Sequence, residues 1–237
     1  MDQIVDKLET PRQGLLPQIK ILSEQKLILK DNGTVRLTNI GRLMVSEIKN
    51  IVSTADIIEA DYDYWVTRDL AAIPEHLFKR LGDMHPCQVI ESELNEMFEL
   101  RSDILEGIMK SESILVHSSF IHPAHPSIFT ALTENGTKTS VVLTENVIQK
   151  LETEFRDVYE SHLQSENSTI YATKEMKIPG IIVSDNLVLL WLFNDKGDFE
   201  PSHMVSRSES AINWGKELFE HYKNGAESVT GIMYSDR

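Results

Sequence analysis

The tetrapeptide Asp31-Asn32-Gly33-Thr34 sits between two short apolar runs, Leu27 to Lys30 and Val35 to Leu37. An Asn-Gly pair tolerates positive φ at both central positions of a tight turn, so this segment predicts a two-stranded hairpin. Its neighbours then fall into order. Ile4, Val5 and Leu8 have the spacing of one short helix face, and Glu9-Thr10-Pro11 follows as a turn, with Thr10 as a cap and Pro11 at the first position of the next helix. Arg12 to Gln25 carries Leu15, Leu16, Ile19 and Leu22 as a second helical stripe, which Pro17 is expected to bend or delay. After the hairpin, Thr38 can cap a long helix whose apolar face, from Ile40 through Met44, Ile48 and Ile51 to Ile58, runs to about Asp61. Helix, turn, helix, hairpin and long helix is the wiring of a winged helix-turn-helix over residues 1–50.

Such a unit lays its second helix in the major groove and sets its hairpin wing against phosphate. Away from the apolar stripe, the second helix offers Thr10, Arg12, Gln13, Gln18 and Lys20, where Gln can bond adenine and Arg can bond guanine or phosphate. The wing offers Lys30, Asn32, Thr34 and Arg36 as phosphate contacts. Charge agrees in direction. Residues 1–50 carry eight basic and six acidic side chains, a balance of +2, whereas the rest of the chain carries 15 basic and 31 acidic, a balance of −16. Screening over roughly 8 Å keeps the acidic remainder from cancelling a local basic face. Double-stranded DNA is the expected partner, although the same polar face also suits a protein-interaction adaptor with a vestigial winged helix. The long helix offers an apolar stripe for a homodimer, which a two-fold symmetric operator favours.

Beyond a helical linker at 51–85, runs with strand and helix character alternate over 86–225, ahead of a polar tail at 226–237. That alternation predicts a larger, sandwich-like α/β domain and an α/β fold class overall. The apolar run Asn186 to Asn194 is far short of the roughly 20 residues that cross a bilayer. Cys87, the one cysteine, has no intrachain partner and suits a reducing, cytoplasmic setting.

Reactive side chains concentrate in His117-Ser118-Ser119-Phe120-Ile121-His122-Pro123-Ala124-His125-Pro126, directly after the strand-like run Ser113 to Val116. The C-terminal end of a strand is where α/β sheets place ligands. Pro123 and Pro126 spoil helical ligand spacing for His122 and His125, and no carboxylate or thiol stands nearby, so neither metal nor cofactor is expected. No Gly-x-Ser-x-Gly elbow supports a serine hydrolase. Ser118, Ser119, His122, Asp185, Trp191 and Asn194 are the candidate lining of an effector pocket, with a core role for Trp191 equally open.

The stretches GLLPQIKILSEQKLI, LTNIGRLM, DYDYWVTRDLAAIPEHLFKRLGD, HSSFIHPAHPSIFTALTENGTKTSVVLTENV, IVSDNLVLLWLFNDKGDF and SESAINWGKELFEHY resemble the archaeal methanogenesis and filamentation regulatory family. The resemblance spans essentially the whole chain. It implies a winged-helix transcriptional regulator with a sensor-like C-terminal region, from a methanogenic archaeon. It also implies a further helix ahead of the segment matching Met1 to Leu8, so this reader unit is expected to lack its first helix. In shape, Lys177 to Asn194 looks like the phospholipase D-type core, whose signature is His-x-Lys-x4-Asp. Asp185 fills the aspartate position, but Ile178 and Gly180 stand where the histidine and lysine belong, and neither can act as nucleophile or phosphate-binding cation. A catalytically degenerate sensor is the expectation, with a phosphodiesterase or hydrolase as the alternative.

Overall fold

The structure, a computed structural model, describes residues 2–31, 33–91, 101–121, 124–174 and 177–231. Asn32 and His122, both candidate contacts, lie outside these, as does the expected helical stretch before Arg101. The chain divides into two compact units, Met1–Val52 and Ser53–Arg237.

The smaller unit contains α1 (Asp2–Leu8), α2 (Arg12–Glu24), β1 (Ile28–Asp31), β2 (Thr34–Leu37) and the first part of α3 (Asn39–Ala60), so the hairpin and its flanking helices stand where the turn residues put them. β1 and β2 pair antiparallel with Asp31 opposite Thr34, and Gly33 takes φ +82°, a conformation open to glycine at no steric cost. Thr38 caps α3 by accepting from Gly41 N at 2.9 Å, and its hydroxyl donates to Lys26 O at 2.8 Å, which ties the helix start to the α2–β1 turn. Two sequence expectations give way here. α2 continues through Pro17, and Pro11 rather than Thr10 occupies its N-cap, because the Thr10 hydroxyl donates to Leu8 O at 2.8 Å instead.

The larger unit is built on one eight-stranded sheet. Its strands are β3 (Cys87–Ile90), β4 (Ser113–Ser118), β5 (Lys138–Thr144), β6 (Ser168–Thr173), β7 (Gly180–Ser184), β8 (Val188–Trp191), β9 (His203–Ser206) and β10 (Glu227–Val229). Their spatial order is β10-β6-β5-β4-β7-β8-β9-β3, with β4, β5 and β6 parallel and the other pairings antiparallel. Successive residues alternate between faces. Ile181, Val183, Val188 and Leu190 enter one core, while Ile114, Val116, Leu189 and Trp191 enter the other. Helix α10 (Glu209–Lys223) lies on the first face through Ala211, Trp214, Leu218 and Tyr222, an i, i+3, i+7, i+11 stripe. The second face carries α6 (Ser102–Met109), α7 (His125–Glu134), α8 (Glu145–Glu154) and α9 (Arg156–Gln164).

The segment expected as a helical linker is helical in short pieces, α4 (Tyr62–Thr67), α5 (Glu75–Phe78) and two 3-10 turns. It supplies Tyr64, Trp65, Leu77 and Met84 to the first core, where Trp214 Nε1 donates to Leu77 O at 2.9 Å. α8 and α9 follow one another directly and are separated at Phe155. Among the described residues, no helix is long and apolar enough to cross a membrane.

Candidate functional site

On α2, Arg12, Gln13, Gln18 and Lys20 are all exposed while Ile19 is buried. At about 100° per residue, Gln13 and Lys20 fall within ~20° of each other on one flank of Ile19, roughly 100–120° from it, whereas Gln18 stands ~100° from Ile19 on the other flank and ~140° from Gln13. The expected contacts therefore do not share one face. Gln13 and Lys20 share one flank, Gln18 takes the other, and Arg12, within ~20° of the Ile19 direction, is exposed at the N-terminal end of the helix. Lys20 is 3.8 Å from Glu24 in a highly exposed ion pair, of the kind that contributes little and yields to a phosphate. In the wing, Arg36 pairs with Leu29 and Lys30 with Val35, so Lys30 and Arg36 leave the hairpin on opposite faces. Thr10 is half-buried in the α1–α2 turn with its hydroxyl already committed.

In the larger unit, Ser118, Gly180 and Trp191 form one row across β4, β7 and β8, at the C-terminal end of the parallel strands. Trp191 stacks on His203 with centroids 4.7 Å apart, and Phe120 meets both Trp191 at 6.2 Å and Phe199 at 5.1 Å. The serines are braces for the loops here. Ser118 Oγ donates to Phe120 O at 2.7 Å, and Ser119 Oγ donates to Pro179 O at 2.9 Å. Asn194 is also internal. Its amide donates to Glu200 at 2.9 Å, and its oxygen accepts from Lys196 N and Asp198 N, closing the turn after β8. Together with the ion-paired Arg68, that amide holds the Glu200 carboxyl below its usual range.

Asp185 is not part of this row. It occupies the β7–β8 turn, where it accepts from Glu112 N at 2.8 Å and Ser113 N at 3.0 Å. That is the opposite end of β4 from Ser118, five strand residues or roughly 16 Å away at ~3.3 Å per residue. Its pairing with Ser118 and Trp191 in one pocket is corrected accordingly, and its carboxylate organises backbone. Ile178 is fully buried in the first core, and Gly180 brings no side chain to the row. Neither position presents a nucleophile or a cation.

Residues that the sequence left unmarked complete the row. His203 is buried, with Nδ1 3.2 Å from Pro201 O, and a carbonyl can only accept, so Nδ1 carries the proton. Burial holds its pKa below the usual histidine value, which leaves Nε2 as a bare acceptor with no partner among the described residues. One residue before the row, His117 points to the other face against Tyr222, ring centroids 4.8 Å apart. Burial pushes it down to about 4, and among the described residues neither ring nitrogen has a hydrogen-bond partner. Among the described residues, no group of three metal-ligating side chains converges.

Comparison with known proteins gives a consistent picture. The family described as methanogenesis regulatory protein FilR1, middle domain, matches residues 97–225, more than half of the chain. The methanogenesis regulatory protein FilR1 of Methanothrix harundinacea (strain 6Ac) is 23% identical over 216 residues, covering 88% of this chain and 48% of that protein. The chain thus spans about half the length of that curated relative. Among solved structures, TrmBL2, an archaeal chromatin protein whose structure shows a mode of DNA binding, is similar at a TM-score of 0.47 and 16% identity, over 92% of this chain and 84% of that one. Nuc from Salmonella typhimurium, a phospholipase D family member, is similar at a TM-score of 0.41 and 17% identity, over 61% of this chain and 99% of that one.

Proposed function

Because the chain belongs to the methanogenesis regulatory protein FilR1 family, we propose that it is a non-enzymatic, DNA-binding transcriptional regulator, cytoplasmic and homodimeric, governed by an effector at its α/β unit. The carrying observation is the helix–turn–helix–wing order of the smaller unit, with Arg12, Gln13 and Lys20 exposed on α2. The same first 50 residues carry a balance of +2, against −16 for the rest of the chain. α2 enters the major groove by its N-terminal turns, Arg12 and Gln13 reach base edges, and Lys20 with one face of the wing reaches phosphate.

The effector end is the row at the C-terminal ends of β4 and β8. Trp191 and His203 are buried and stacked there, with Phe120 and the exposed Phe199 beside them, so a flat or ring-shaped molecule that brings a hydrogen-bond donor reaches His203 Nε2 by displacing those two phenylalanine rings. Ser118, Ser119 and Asn194 hold the surrounding loops in place for it. Effector binding shifts the balance between DNA-competent and incompetent forms by its unequal affinity for the two.

Fluorescence anisotropy on duplex from the promoter beside its own gene tests the reader. Replacing Gln13 and Lys20 together by Ala is expected to weaken binding by about 2 kcal/mol, roughly 30-fold, and to reduce the salt dependence by about one phosphate contact. Gln18→Ala, on the opposite flank of α2 from Gln13 and Lys20, is expected to change affinity by less than about threefold. Absence of any binding by the full chain at low salt, or equal effects of the two variants, contradicts the assignment.

A further inference from the structure

The connection from β8 to β9 carries Phe199, whose ring covers Phe120, and it is fixed at both ends. Near its start, Asp69 N donates to Phe193 O at 2.9 Å and Asp195 N donates to Thr67 O at 2.8 Å. At its finish, His203 pairs with Ile90 in the sheet. Between these points one side chain holds residues 199–202. Arg68 forms an ion pair with Glu200, and its Nη2 donates to Ser202 Oγ at 3.1 Å. Pro201 lies between those two contacts and supplies the carbonyl that accepts from His203 Nδ1. Arg68 therefore acts at once on the backbone that carries Phe199 and on the carbonyl that sets the tautomer of His203.

We propose that residues 199–202 form a lid over the stacked Trp191 and His203, and that Arg68 is its latch and the positioning residue for His203. This rests on the reading of the row as an effector site and names the contact an effector must release to enter it. The two partners of the latch are unequal. The Arg68 side chain is 4% exposed and its guanidinium lies 4.5 Å from the centre of the Tyr64 ring, whereas the Glu200 side chain is 39% exposed. Glu200 can leave for water while the cation keeps its place over the aromatic face. The closed form is also incompletely satisfied, since Arg68 Nε and Nη1 have no hydrogen-bond partner among the described residues. Buried donors left unpaired offset part of what the ion pair contributes. A ligand that binds only the released form can then shift the balance toward it.

Carbethoxylation by diethyl pyrocarbonate reads the lid in the full chain at pH 7, with neither DNA nor effector present. Burial keeps His203 neutral there, so Nε2 reacts once it is uncovered. Trypsin places His203 alone on the peptide 197–207 and His162 alone on 157–174, and His162, also buried, reports general loosening. In the parent, His203 should react no faster than His162. Phe199→Ala, which removes the cover, and Arg68→Met, which removes the latch, are each expected to speed His203 about tenfold or more with His162 unchanged. Glu200→Gln keeps an acceptor for Asn194 Nδ2 but loses the charge, and should speed His203 about threefold. If Arg68→Met does not fold, Glu200→Gln carries the same comparison. Fast reaction of His203 in the parent, or its protection in Phe199→Ala, overturns the lid. Protection in the latch variants alone, or an equal rise at His162, overturns the latch. These rates need no effector, so a failed lid leaves the effector reading standing, and a lid that opens as expected stands even where no small molecule alters DNA affinity.

Discussion

Replacing Gly41 by alanine is expected to abolish DNA binding while leaving the larger unit folded. A Cβ built at Gly41 would stand 2.0 Å from Leu27 O and 3.3 Å from Leu37 Cδ2. The nearer atom is backbone, and that carbonyl already accepts from Thr38 N at 2.9 Å, so it cannot rotate away without releasing the start of α3. Relief requires the wing and α3 to separate. Overpacking of this kind costs about 3 kcal/mol or more. The smaller unit, with Ile19 and Ile28 as its buried large hydrophobics, has little with which to offset that. Anisotropy should show at least a 100-fold loss of DNA affinity, the equivalent of roughly 3 kcal/mol. Tryptophan fluorescence serves as the control, because Trp65, Trp191 and Trp214 all belong to the larger unit. Its unfolding midpoint should not move. DNA affinity within threefold of the parent shows that the wing does not depend on this contact.

The second large effect is acid sensitivity of the larger unit. In the folded chain His117 is held neutral down to about pH 4, against an ordinary value of 6.5, by burial on the α10 face of the sheet. The unfolded chain therefore binds a proton that the folded chain refuses between those two values, and stability falls as pH drops through that window. Above 6.5 both states are neutral and the dependence vanishes. At pH 5 the loss from His117 alone is about 2 kcal/mol, approaching about 3 kcal/mol near pH 4. His162 and His203 are also depressed by burial and act in the same direction. Urea unfolding at pH 7 and pH 5, followed by tryptophan emission, reads the difference. His117→Leu fills the site without a titrating group, and among the described residues it orphans no donor or acceptor that the ring nitrogens bond. It should reduce the pH 7 to pH 5 loss by about 2 kcal/mol. An unchanged loss in the variant assigns the acid sensitivity elsewhere.

Much of the fold was legible because local chemistry and global position agree. Asn32-Gly33 marked the wing and Thr38 marked the start of α3. What escaped depends on pairing rather than pattern. β9, His203-Met204-Val205-Ser206, has no strong alternation and becomes a buried strand because β8 and β3 flank it. β10 is three residues long and exists through its pairing with β6, in what reads as a polar tail. The break between α8 and α9 at Phe155 has no Gly or Pro to announce it.

The candidate sites show the same division. Ser118 and Trp191 fall in one row across the sheet, on either side of Gly180, because both end strands that run to one edge. Asp185 follows β7 instead of preceding it, and whether a turn falls at the ligand end of a sheet depends on strand direction, which no single segment encodes. Phe120, Phe199 and His203 form the row only once three loops converge, so their spacing of 79 and 4 residues carried no signal. On α2 the periodicity was sufficient to separate Gln18 from Gln13 and Lys20, given the side on which Ile19 is buried.

Selection from a pool of random duplex DNA tests the central claim most directly. Sequences retained by the full chain at moderate salt are read after successive rounds, beside those retained by the Arg12→Ala, Gln13→Ala double variant. A paired winged-helix regulator is expected to enrich one inverted repeat, with the variant losing base preference at matched positions in both half-sites, at a cost of about 1–3 kcal/mol per lost contact. Retention of the pool without sequence enrichment, or identical enrichment by the variant, contradicts sequence reading by α2.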